Sequence, residues 1–293
     1  ESQPPNEPVL VDDFTGSTGC RDCHEPFYEK WSTSWHGLAM REYTPAFARE
    51  SLVEHDSWKE VRGRSYRSEV GPDQGALRER GLQGEKTYPL KYLMGGKNVI
   101  YFLTPLDRGR LQVLPLAFDT RRKEWYDTAG SMVRHIPGIA DSPIEWTDRA
   151  LTFNSSCYNC HVSQLSKNYS LATDTYQTAW KEPGINCEAC HGPGLKHVRA
   201  MLALKDQPSE GRKVPIEKRE SPSKGREIFS ESLQIIVTRQ FTEEQTNSMC
   251  APCHAKMNIL TASFQPGDDF FDHYNLVGLE DRDFYPDGRD LGE

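Results

Sequence analysis

The clearest apolar patterning lies in the middle of the chain. Tyr88-Pro89-Leu90-Lys91-Tyr92-Leu93-Met94 and Asn98-Val99-Ile100-Tyr101-Phe102-Leu103 are short runs rich in aromatic and β-branched residues, separated by Gly95-Gly96. Two such runs across a glycine pair predict a β-hairpin. Leu111 to Phe118, after the turn residues Asp107-Arg108-Gly109, predicts a third strand. A small antiparallel insertion over 61–130 follows, with its aromatics as ordinary core. Gly95-Gly96-Lys97 lacks the spacing of a phosphate-binding loop and reads as a turn. Glu25 to Trp31, with Pro26 near the first turn, predicts a helix. No run approaches 18 consecutive apolar residues, so no membrane-spanning helix is expected.

Outside the insertion, cysteine and histidine carry the pattern. All eight cysteines fall into four pairs of one form. They are Cys20-Arg21-Asp22-Cys23-His24, Cys157-Tyr158-Asn159-Cys160-His161, Cys187-Glu188-Ala189-Cys190-His191 and Cys250-Ala251-Pro252-Cys253-His254. Zinc knuckles, disulfides or a thioredoxin-like pair would each explain Cys-x-x-Cys. None requires His at the next position every time. Cys-x-x-Cys-His is the attachment signature of c-type haem. Two thiols three residues apart each add to one vinyl group on the porphyrin edge, and the adjoining imidazole binds the iron. Four covalently bound haem c groups are therefore expected.

Five histidines remain for the opposite faces of the irons: His36, His55, His135, His197 and His273. His36 lies twelve residues after His24, and twelve helical residues rise about 18 Å. Two imidazole nitrogens on one iron should sit only about 4 Å apart. His36 should thus reach a different motif's haem. His197 follows His191 by six residues, which span at most about 20 Å, too little to turn comfortably around a porphyrin. It too should cross to another haem. His135, before the loop Ile136-Pro137-Gly138, His273, beside Asp272, and His55, in Glu54-His55-Asp56, complete the candidates. Met40, near His36, is read as packing against a ring.

Composition fits this picture. Apolar residues make up 36% of the chain, or about 40% when glycine replaces tyrosine in the count, against roughly 45–50% for a soluble domain. Macrocycles would supply the missing core. The net charge of -8 leaves no basic stripe for nucleic acid. Residues 196–226 hold nine Lys and Arg against four Asp and Glu. This stretch reads first as a solvated linker, and second as a docking patch for an acidic redox partner. Glu1-Ser2-Gln3-Pro4-Pro5 reads as the start of a processed chain whose signal peptide has been removed, consistent with haem attachment after export.

At these motifs the sequence resembles the tetrahaem nitrifier cytochromes of the c554 and c-prime family. The likeness rests on the first motif followed by Trp31 and His36-Gly37-Leu38-Ala39-Met40, on Cys160-His161-Val162, and on Cys187 to Gly194 with His197 shortly after. It covers roughly residues 17–40 and 150–260 and leaves 60–130 unmatched. The resemblance implies that His36 and His197 are distal ligands and that one haem lacks a protein ligand on its distal face. The family carries a histidine shortly before its last motif, and residues 233–249 contain none. Phe284 to Glu293 is similar to a segment that runs on in larger multihaem proteins, so a longer parent protein is expected.

The expected fold is α+β, mainly helical and irregular, wrapped around four haems. It divides into an arm over 1–16, a first haem segment over 17–60, the β-rich insertion over 61–130 and the remaining haem segments over 131–293. The expected function is electron transfer in the periplasm or outside the cell. Its partners would be other redox proteins, such as cytochromes, a quinol-oxidising complex or a terminal reductase. Two alternatives compete: an oxidoreductase with one open haem acting on a small nitrogen or sulfur oxide, and a filament bridged through haems.

Overall fold

The computed structural model describes residues 13–53, 57–71, 75–82, 84–133, 142–205, 228–261, 263–281 and 284. His55 and His135 lie outside the described residues, as do most of the arm and of the basic stretch.

Ten strands lie between the first and second motifs. Strands β1 to β5 are Met40–Glu42, Lys59–Val61, Arg64–Val70, Gly75–Gly81 and Gly84–Pro89; β6 to β10 are Tyr92–Gly95, Val99–Pro105, Leu111–Val113, Leu116–Asp119 and Glu124–Asp127. They form two antiparallel sheets, one ordered β2-β3-β4-β5 and the other β1-β6-β7-β9-β10, with β8 also on β7. The glycine hairpin forms as expected, with Gly95 opposite Ile100. The single strand expected over 111–118 is broken. Leu103 pairs with Val113 and Ile100 with Phe118, so three steps on β7 face five on the other run. The surplus bulges at Leu114-Pro115, where proline has no N–H for the ladder.

The core is built on these sheets. Trp125 stacks on Phe102 at 4.9 Å and meets Phe118 edge-on at 5.4 Å, beside buried Tyr66, Leu77 and Leu93. A second cluster of Met40, Met94, Leu103, Phe153 and Val162 carries the core toward the second motif, where Cys157 and Tyr158 pack against it.

The expectation of a mainly helical chain is overturned. Strand and helix each account for 30% of the structure. The sheets recruit residues that patterning assigned elsewhere, notably β1 inside the first haem segment. Four two-stranded ribbons also sit beside the motifs: β11 (Val162–Ser163) with β14 (Glu182–Pro183), β12 (Tyr169–Ser170) with β13 (Thr175–Tyr176), β15 (Phe229–Ser230) with β16 (Ile235–Ile236), and β17 (Met257–Ile259) with β18 (Tyr274–Leu276). Strands of two or three residues are too short to show an alternation of period two.

The helices are α1 (Ser17–Ser32), α2 (Pro45–Ser51), α3 (Tyr158–His161), α4 (Glu188–His191), α5 (Leu195–Lys205), α6 (Glu243–His254) and α7 (Phe270–His273). The three longest, which carry the first and fourth motifs and His197, bury little. Ser17 is the only buried residue of α1, α5 has none, and α6 buries only Pro252. Helices usually owe their stability to a packed apolar face. These lack one made of side chains.

Candidate haem site

Each motif sits on a helical turn, which places its two cysteines on one face and the histidine beside them. In α1 the backbone leaves helical geometry at His24 (φ -123°, ψ 35°), two residues before Pro26. A proline lacks the N–H of an interior turn and restricts the residue before it, which accounts for a break here. The second and third motifs occupy the single turns α3 and α4, entered at Cys157 and Cys187. The fourth ends α6, whose start carries a reciprocal cap: Gln245 N–H donates to Thr242 Oγ1, and Thr242 N–H to Gln245 Oε1. All eight thiols are free of disulfides.

The histidines are brought together across the chain. The rings of His24 and His197 lie 6.3 Å apart, centre to centre, and 23° from parallel. Those of His36 and His254 lie 6.1 Å apart at 65°. Two imidazoles bound on opposite sides of one metal put their nitrogens about 4 Å apart and their ring centres about 6 Å apart. Both pairs match that spacing, and each joins histidines from distant segments. His161 and His191 face no second imidazole among the described residues.

Backbone carbonyls set the ring orientation and tautomer. His161 Nδ1 donates to Ala39 O (2.6 Å), His191 Nδ1 to Ile236 O (3.0 Å) and His197 Nδ1 to Leu233 O (2.7 Å). A carbonyl only accepts, so the proton sits on Nδ1 and the Nε2 lone pair is left for a metal. Burial lowers the pKa of His161, and that of His24 together with the nearby His197 and His191. Both are thus held neutral, the form that ligates.

His36 is fixed by a close crossing of two backbone segments. Ile185 N–H donates to His36 O (2.8 Å) and Trp31 Nε1 to Ile185 O (2.7 Å). A Cβ on Gly184, whose φ is +80°, would lie 2.6 Å from Gly37 O and 3.0 Å from His36 O. Only glycine fits there.

His273 is engaged differently. Its Nε2 faces Asp268 Oδ2 at 3.2 Å, its Nδ1 faces Thr261 Oγ1 at 2.9 Å, and Phe264 packs edge-on against the ring. No second imidazole faces it among the described residues.

Thiol contacts order the motifs in space. Cys187 Sγ donates to Ser17 Oγ (3.5 Å), at the start of the helix that carries Cys20, and so sets the third motif beside the first. Cys190 and Cys250 are close enough for Cys250 to raise the Cys190 thiol, after burial. Cys160 Sγ points at Cys253 O (3.8 Å) and Cys253 Sγ at Asn159 O (3.4 Å). The spatial order is therefore first, third, fourth, second. Cys23 and Cys250 are exposed, whereas burial pushes the Cys157 thiol up to about 12.

The residues present fit haem. Imidazole pairs stand at the spacing of two axial ligands, four thiol pairs line up beside them, and apolar side chains flank the ligands without cover. Phe27, three residues beyond His24, is 73% exposed, and Trp35 beside His36 and Leu202 on α5 are also exposed. Among the described residues no group of three or more His, Cys, Asp or Glu is arranged to hold a bare metal ion. A zinc knuckle would need such a group.

Comparison with known proteins agrees. The family model described as cytochrome c554 and c-prime matches residues 19–68 and 136–192, which contain the first three motifs. Over these segments the chain has the pattern of a multihaem c-type cytochrome. The resemblance read from its motifs is thereby borne out, and covalently bound haem c is its cofactor. No curated protein matches this cytochrome. Among solved structures, the outer cell wall cytochrome OcwA is similar in fold, with a TM-score of 0.54 at 15% identity over 95% of this chain. The cytochrome spans about half the length of that protein, 48%. Among the described residues no helix is long and apolar enough to cross a membrane.

Several residues that shape the site do not stand out in the sequence. Ala39, Leu233 and Ile236 act through backbone carbonyls, which any residue provides. Gly184 could have been singled out only as one glycine among 22.

Proposed function

We propose that this cytochrome carries four haem c groups in a row and passes electrons between redox proteins outside the cytoplasm. The observation that carries the proposal is the pair of crossed histidine contacts, at 6.1 and 6.3 Å. His24 and His197 would hold the haem of the first motif, and His254 and His36 that of the fourth. When bound, haem supplies a one-electron couple whose potential follows its axial ligands, burial and hydrogen bonds.

The chain's own residues keep the groups close. His36 starts beside the first motif and serves the fourth, so neither haem can move far without the other. The thiol contacts support a path from first to third to fourth to second haem, with an accessible end at the exposed first motif. The likeness in fold to OcwA, an outer cell wall cytochrome, favours a place outside the cytoplasm.

The test is to replace His36 and His197 singly with alanine in the haem-loaded protein and record ferric EPR. Each change should convert one haem from low spin to high spin. Unchanged spectra in both variants would refute the ligation.

A second reading is favoured by one observation: His161 and His191 face no partner imidazole among the described residues. An open iron at either would suit an oxidoreductase acting on a small nitrogen or sulfur oxide. Rapid binding of nitric oxide or cyanide to one haem in the unaltered protein supports that reading, and its absence removes it.

A further inference from the structure

The third motif contains a carboxylate in an unusual place. Glu188, between Cys187 and Ala189, is 1% exposed, and charged side chains are seldom fully buried unless paired. Among the described residues it has no cationic partner. Three backbone N–H groups satisfy it instead: Thr15 N–H donates to Oε1 (2.9 Å), Gly16 N–H to Oε2 (2.7 Å) and Gly194 N–H to Oε1 (2.7 Å).

Those donors belong to the starts of two helices. Thr15 and Gly16 lead into α1, whose own cap position, Gly16, offers no side chain. Gly194 immediately precedes α5. The first N–H groups of a helix have no partner within it, and a negative charge there is favourable. Glu188 therefore caps both helices at once from a third element. Glu182 reinforces one side, accepting from Ser17 N–H at 2.9 Å, and Leu195 N–H donates to Asp13 O at 3.2 Å. The two helices so joined carry His24 and His197, the rings that face each other at 6.3 Å.

We propose that Glu188 is the positioning residue for the His24–His197 axial pair: one buried carboxylate holds together the N-termini of the two helices that deliver both ligands to the first haem. The proposal rests on His197 being that haem's distal ligand. The helices bury almost no apolar side chains of their own, so their separation rests on the polar contacts at their starts, of which Glu188 makes three. An axial bond tolerates little drift, and a carboxylate accepting three hydrogen bonds supplies the needed stiffness. Glutamine keeps the shape but turns a donor toward a donor, since only one of its two polar atoms can accept.

The experiment compares Glu188→Gln, His197→Ala and the double variant of the haem-loaded protein by ferric EPR. Each is recorded with and without added imidazole. In H197A, high-spin iron rises by one haem equivalent above the parent. In E188Q it rises by part or all of one equivalent and falls again with imidazole. The double variant shows no more than H197A alone, because both changes act on one iron. If H197A converts a haem and E188Q leaves every haem as in the parent, Glu188 does not position the pair. If H197A itself changes nothing, the ligation fails and the proposal falls with it.

Should E188Q not accumulate, Gly194→Ala gives the second route. A Cβ there would lie 3.0 Å from Glu188 Oε1 and 3.4 Å from Thr15 Cγ2, pressing on the carboxylate without removing it. A smaller rise in high-spin iron, absent from H197A carrying the same change, is expected. No rise overturns the proposal.

Discussion

Replacing Gly184 with alanine should cost more than a single methyl group suggests. The residue sits at φ +80°, and the added Cβ would approach Gly37 O to 2.6 Å and His36 O to 3.0 Å. A side chain in that backbone region costs about 1–2 kcal/mol. Forcing atoms into a filled space costs a further 1–3 kcal/mol, roughly. The sum is about 2–5 kcal/mol. The strain falls on a crossing held by the Ile185 N–H to His36 O hydrogen bond, so relief requires the His36 backbone to retreat. Its ring stands 6.1 Å from that of His254, and a displacement of half an ångström would stretch an axial bond of about 2 Å severely. Urea denaturation followed by far-UV circular dichroism measures the first effect, and ferric EPR the second. Gly63→Ala provides the control. Gly63 has φ +73° with nothing within 4 Å of a Cβ, so it should lose only the backbone cost of about 1–2 kcal/mol and no low-spin iron. A G184A protein as stable as G63A, with its low-spin signal intact, would refute the reasoning.

Three further outcomes follow from the fold. Trp125→Ala removes a ring stacked on Phe102 and an Nε1 donor to Val53 O (2.8 Å); it should cost about 3–5 kcal/mol in denaturant melts, and a loss under about 1 kcal/mol would contradict that packing. Thr242→Ala breaks the reciprocal cap of α6 and should cost about 1 kcal/mol with four haems still attached; an unchanged melting midpoint would show the cap to be idle. Burial, then the nearby Glu79 carboxylate, pushes the Tyr66 phenol from its ordinary value of 10 up to about 12. The neutral phenol thus favours the folded state fully below pH 10, and that contribution is lost as pH rises from 10 to 12. Tyr66→Phe should flatten the decline in stability across that window, and an equally steep decline would refute the assignment.

The site was more legible in the sequence than the fold, for physical reasons. Thioether attachment needs two thiols and an imidazole within five consecutive residues, so each haem motif is written contiguously. The partners of His36 and His197 are remote, yet simple reach argued that each must serve a motif other than its nearest. The structure places His36 opposite His254 and His197 opposite His24. Glu188 escaped notice because glutamate is ordinarily exposed, and only the folded chain gathers Thr15, Gly16 and Gly194 around it. Strand content was underestimated where strands are short. Met40, read as packing against a ring, also begins β1 opposite Met94, a pairing 54 residues distant that leaves no local trace. Ribbons such as Val162–Ser163 with Glu182–Pro183 are fixed by neighbouring hydrogen bonds, among them Ser163 Oγ donating to Gly184 O at 2.9 Å.

The most direct test is the intact mass of the denatured protein, taken in acid that strips every non-covalent ligand. Four thioether-linked haems require a mass above that of the bare chain, 33.4 kDa, by four haem groups. A mass equal to the polypeptide alone, with the pigment left in the solvent, would contradict covalent attachment at every motif.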